Sequence, residues 1–185
     1  MSAWIILAVV GVVVLAVIGI YNGLVQGRIQ VKEGFSGIDV QLKRRHDLIP
    51  NLVETVKGYM QHEKGVLENV TRLRSQATGA GPADIKDKAA LENGITQALK
   101  TIFAVAENYP DLKANQSFSE LQKNLSEIEG EIQLARRYYN GTVRDYNIKV
   151  QTFPNNILAN AFSFKAEEFF EVETATDRAV PEVKF

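Results

Sequence analysis

Two histidines, His46 and His62, are the residues best suited to metal or proton chemistry, and the chain has no cysteine. A di-metal carboxylate site in a helical bundle needs Glu-x-x-His on two helices, with the imidazole one turn after the carboxylate. The residues three before the histidines are Lys43 and Tyr59, so that spacing is absent. His62-Glu63 is followed by Lys64, Gly65 and Val66, and the zinc-hydrolase pattern His-Glu-x-x-His fails too. The lack of cysteine excludes disulfides, thiolate metal ligands and a cysteine nucleophile. There is no glycine-rich phosphate loop and no serine elbow. For hydrolysis only scattered acids remain, among them Glu54, Glu63 and Glu107. The sequence therefore nominates no catalytic residue, metal site, cofactor or small-molecule substrate, and it reads as a non-enzyme.

Basic residues give a second candidate chemistry. Lys43-Arg44-Arg45, with Arg28 and Lys57, can meet acidic headgroups or an acidic partner, but Asp39, Asp47 and Glu54 dilute the group. The expectation is a solvated helix face with one residue turned inward to pair with a carboxylate. Over the whole chain 21 basic side chains balance 22 acidic ones, so no global field marks a nucleic-acid binder.

The element that must carry these residues is a long apolar stripe. Val31, Phe35, Ile38, Leu42, Ile49, Leu52, Val53, Val56, Tyr59 and Met60 keep steps of three, four or seven. Pro50 lies inside it, lacking an N–H for the carbonyl of His46. The apolar phase is the same on both sides, which predicts one helix bent near His46 to Pro50. Val66, Leu67, Val70 and Leu73 extend the stripe to a loop at Ala77 to Pro82, so the helix is expected to run to about residue 76.

Upstream, Met1 to Gly27 carries no charge and Ala3 to Tyr21 is almost wholly apolar. Nineteen helical residues span about 28 Å, close to a bilayer's hydrocarbon thickness. The segment predicts a membrane anchor with Trp4 and Tyr21 near the two interfaces, its lipid contact lying in residues 3–21. Gly11, Gly19, Gly23 and Gly27 share one ridge, of the kind that lets helices approach closely. Gly34 and Gly37 continue a small-residue surface above the bilayer. These six glycines are the candidate contacts of a homo-oligomer. Arg28 and Lys32 follow the anchor and no basic residue precedes it, which favours a cytoplasmic bundle, with the extracytoplasmic side as the alternative.

Downstream, a helix is expected from Pro82-Ala83-Asp84, with Leu91, Ile95, Leu99, Ile102 and Ala106 on one face, interrupted at Asn108-Tyr109-Pro110-Asp111. Ser117-Phe-Ser-Glu120 has the form of a capping box. It opens a stripe through Leu125, Ile128, Ile132, Tyr139, Val143 and Tyr146. Tyr139-Asn140-x2-Val143 recurs at Tyr146-Asn147-x2-Val150 and stands also at Tyr21-Asn22-x2-Val25. A seven-residue recurrence holds tyrosines over one helix seam, so they read as core edge with a polar tip. After the break at Phe153-Pro154, a phenylalanine-rich helical return to Val172 is expected to close the bundle. The divisions are an anchor at 1–27, a bundle at 28–173 and a mobile tail at 174–185.

Several of these stretches resemble the LemA family of bacterial single-pass membrane proteins. They are 38–45 and 47–59, His62-Glu63, Ala106 to Ala114, Ala135-Arg136, Tyr139-Asn140, Tyr146-Asn147 and Phe153-Pro154. The pattern departs at Gly34-Phe35, where a small residue followed by Trp is expected, and this bears on local packing. The resemblance implies an all-α chain: a transmembrane helix continuous with an up-and-down four-helix bundle at the bacterial inner membrane. It implies no reaction. The reading is a membrane-anchored scaffold that binds itself and other envelope proteins, with a membrane-remodelling coat and a hydrolase as alternatives.

Overall fold

The computed structural model describes residues 2–60, 62–79 and 85–170. Among them are six helices and no strand: α1 Ser2–Lys57, α2 Lys64–Gly79, α3 Ile85–Ala106, α4 Pro110–Lys113, α5 Gln116–Gln151 and α6 Asn155–Ala161. The all-α fold with bundle packing is as the stripes require. The expected helix start at 82–84 and the tail at 174–185 lie outside the described residues.

Three boundaries differ from the sequence reading. α1 runs through Pro50 but stops at Lys57, not near residue 76. The amides of Tyr59 and Met60 both turn to the Val56 carbonyl, at 3.0 and 2.9 Å, and Glu63 N–H bonds Met60 at 3.2 Å. Met60 is nevertheless fully buried. The turn keeps the apolar phase because periodicity records which side chains face inward, not whether the backbone between them is helical. Gly58, a poor helix former, stands where the helix gives out.

The cap of α5 is Asn115 rather than Ser117: its Oδ1 accepts the Phe118 amide at 3.1 Å. Gln116 reaches Glu120 at 3.0 Å, so the local side-chain pairing exists one position earlier than expected. The helical return after Pro154 is short. Ser163 adopts a left-handed φ of 58°, Phe164 N–H bonds the Ala159 carbonyl at 2.8 Å and Ser163 N–H that of Asn160 at 3.3 Å. This pair of crossed bonds closes a helix and turns the chain away from its axis. Residues 162–170 then continue without helix.

The chain divides into two compact units. One comprises residues 1–41 with 130–169: the anchor-bearing part of α1, the C-terminal part of α5, α6 and the segment after it. Here α1 and α5 run antiparallel, since Gly34 faces Tyr139 and Thr142 whereas Gly27 faces Tyr146 and Lys149. The other comprises 42–129 with the residues from 170 on. Its core is one cluster drawn from α1, α2, α3, α4 and α5, centred on Ile49, Leu52, Val56, Val70, Ile95, Ile102, Leu112 and Leu125.

Candidate functional site

The second unit holds a polar cluster inside its apolar core. Arg45 and Glu92 are completely buried. Their positions follow from helical spacing: Arg45 lies three residues after Leu42 and four before Ile49, and Glu92 three before Ile95. The guanidinium donates one nitrogen to Glu92 and the other to Glu129 on α5. It also bonds Thr96 Oγ1 at 2.8 Å and the Glu92 carbonyl at 3.0 Å. Thr96 in turn donates to Glu129 at 3.0 Å. His46 Nε2 stands 3.0 Å from Glu92 Oε1 and 3.3 Å from Oε2, the longer approach having the better hydrogen-bond alignment. One arginine thereby pins α1, α3 and α5 in a single register. It is the inward-turned residue expected from Lys43-Arg44-Arg45.

Burial pushes the Glu92 carboxyl upward, but the His46 hydrogen bond and the Arg45 and His46 charges outweigh it. The net result lies below the ordinary 4.5, and Glu92 is held as a carboxylate. A carboxylate with no exposed surface and a guanidinium between it and Glu129 cannot reach a substrate. The arrangement is a bolt rather than a catalytic pair.

Pro50 has a partner in the same region. The carbonyl that it deprives of a helical N–H is that of His46, and Arg74 Nε on α2 donates to that oxygen at 2.7 Å. The guanidinium replaces the missing backbone donor and ties α2 to α1. Sequence reasoning named the orphaned carbonyl but not what would fill it.

The acids considered for hydrolysis do not gather. Glu54 pairs with exposed Lys57 at 3.6 Å and Glu107 with exposed Lys113. Glu63 sits in the turn after α1. His62 lines an open groove with Val53, Met60, Leu67, Lys57 and Arg72, a mixed apolar and basic wall. Among the described residues no group of three potential metal ligands forms.

In the first unit, Tyr139 and Tyr146 are buried, as their seven-residue spacing implies. The Tyr139 hydroxyl donates to the Glu168 carbonyl at 2.8 Å. Burial, then the charges of Glu167 and Glu168, push its phenol up to about 12. Asn147 binds the Glu167 backbone twice, accepting its N–H and donating to its carbonyl, both at 2.9 Å. The tyrosine–asparagine repeat therefore hooks the segment after α6 onto α5.

The glycines separate into two groups. Gly27 and Gly34 are taken up inside the chain: a Cβ on Gly34 would stand 3.2 Å from the Tyr139 backbone, and one on Gly27 3.1 Å from the Tyr146 ring. Gly11, Gly19, Gly23 and Gly37 have open space around them. α1 is long and apolar enough to cross a membrane, and none of its most apolar window is buried against the rest of the chain. Trp4 is exposed near one end of that window, and Tyr21 packs edge-on against Phe162 and Phe164 at the other.

A family model described as the LemA family matches residues 34–185. The chain belongs to the LemA family. Among similar proteins, a LemA protein of Metamycoplasma hominis is 27% identical over 178 residues, covering 90% of this chain and 78% of that one. Magnetosome protein MamQ 2 of Paramagnetospirillum magneticum is 26% identical over 184 residues, covering 86% of this chain and 68% of that protein. MamQ of Magnetospirillum gryphiswaldense is 23% identical with the same coverage. The bolt and the tyrosine seam both lie within the stretch of this LemA-family chain that the family model matches, whereas the apolar window of α1 precedes it.

Proposed function

We propose that this LemA-family chain is a non-enzymatic, membrane-anchored helical scaffold of the bacterial inner membrane that works as a homo-oligomer. The observation that carries the reading is the apolar window of α1, which no other part of the chain covers. Its natural solvent is lipid. The buried charges support the non-enzymatic part, because Arg45, Glu92 and Glu129 are engaged with one another. Two of the relatives described above bear the name magnetosome protein, and none bears the name of a reaction.

The anchor is also the proposed site of self-association. Gly11, Gly19 and Gly23 leave a groove on α1 into which a second copy's helix fits closely. Membrane confinement pre-orients the helices, so modest contacts suffice. The test is the particle size in native nanodiscs of the wild type against Gly19→Leu with Gly23→Leu. The wild type should be a multimer that the double substitution disperses; a wild-type monomer would refute the assembly. Arg28 and Lys32 support a cytoplasmic bundle. Protease added outside right-side-out vesicles should leave it intact, and cleavage there reverses the assignment.

A further inference from the structure

We infer that the end of the bundle at α6 is a second membrane contact: an uncharged, aromatic tip that enters the lipid interface beside the anchor. The inference rests on the anchor reading and adds a surface that the anchor does not include. Its first support is register. Moving seven residues back along α1, from Gly34 to Gly27, moves seven on along α5, from Tyr139 to Tyr146. Six further steps bring Tyr21 level with Thr152, where α5 has just ended at Gln151. The ring contacts agree independently, with Phe162 and Phe164 at 5.0 and 5.8 Å from Tyr21. Two measures thus place residues 152–164 at the height where the apolar window of α1 stops.

The second support is chemistry. Thirteen consecutive residues, Thr152 to Phe164, carry no charge, and Lys149 and Lys165 flank them. Apolar side chains face outward here, with Phe153 78%, Ile157 59% and Phe162 54% exposed. Water-soluble surfaces rarely gather such residues. Aromatic rings with asparagines and a serine between them suit the headgroup boundary, where one side of a short helix is apolar and the other wet. The flanking lysines reach toward phosphate groups. The occupant is lipid rather than a protein partner because the tip ends level with the bilayer segment of its own chain.

Tryptophan fluorescence in lipid nanodiscs tests the tip in the full-length chain. Trp4, the chain's single tryptophan, reports on the anchor. Ile157→Trp or Phe153→Trp, each with Trp4→Phe, reports on the tip, and both sites are exposed enough to accept the ring without repacking. Brominated lipid should quench most of the emission at 157 and at 153, while aqueous acrylamide quenches little. Tip tryptophans open to acrylamide and untouched by brominated lipid overturn the inference. Protection from both quenchers also overturns it, in favour of a second protein copy on this face. Quenching of Trp4 in the wild type separates the two readings: if Trp4 itself escapes brominated lipid the anchor fails, and if only the tip escapes the anchor stands alone.

Discussion

The exchange of a backbone donor for a guanidinium at Pro50 can be measured directly. Arg74→Met removes the Nε donor and keeps most of the aliphatic stem, so packing changes little. The His46 carbonyl then faces a proline four residues on and has no helical N–H to accept. A part-buried acceptor left without a partner costs about 1–3 kcal/mol. Pro50→Ala restores an N–H at the position that a helix supplies, 2.7 Å being the present Arg74 distance. In that background the carbonyl no longer depends on Arg74, and Arg74→Met should cost only a small part of its former effect. Urea melts of four chains lacking residues 1–27 (the parent, both single variants and the double) give the coupling. It should reach about 1 kcal/mol, above the roughly 0.3–0.5 kcal/mol scatter of independent sites. Additive substitutions would show that Pro50 and Arg74 do not share the carbonyl, and the account of how α1 passes its proline would fall.

Arg45→Met strands a fully buried carboxylate and should cost about 3–5 kcal/mol in the same melts. Because the folded Glu92 carboxyl lies below 4.5, its stabilising contribution is present above that pH and is lost as pH falls through the folded value; Glu92→Gln should flatten this acid limb. Tyr139 behaves in the opposite sense. Its contribution is complete below 10.0 and is lost as pH rises toward about 12, so Tyr139→Phe should remove that alkaline step from a pH series of melts. Gly34→Ala forces the α1–α5 seam apart and should cost about 1–3 kcal/mol, whereas Gly37→Ala, in open space, should gain up to about 1 kcal/mol. Asn115→Ala should cost about 1 kcal/mol as a lost cap and Ser117→Ala much less; equal losses in thermal melts would return the cap to Ser117.

Helix class and inward faces were legible because one residue's burial repeats every three or four positions. The bolt was half legible. The stripe passes from Leu42 to Ile49 with a gap that Arg45 fills, and Glu92 fills the matching gap before Ile95. That residues 45, 92 and 129 meet depends on how three helices align, which no single stripe encodes. The end of α1 was hidden because Met60 keeps phase across a turn. The choice between Asn115 and Ser117 was hidden because both types cap equally well and only the exit from α4 decides. For the glycines, the ridge pattern is the same whether the neighbour is α5 or another copy. Likewise the phenylalanines after Pro154 declare themselves apolar without saying whether protein or lipid receives them.

The unbroken helix from the bilayer window through Gln41 also bears on membrane thickness. A span longer than the local hydrocarbon layer relieves the mismatch by tilting, and a thicker layer draws it upright. Between Tyr21 and Gly27 there is no turn at which that tilt can be absorbed, and α5 is packed against the same helix from Gly27 upward. The helix pair must lean whenever the span leans. On the side bearing α6 the lean presses the tip into the headgroups; on the other it lifts the tip clear. Hydrocarbon thickness is thereby converted into the angle at which the paired helices meet the membrane.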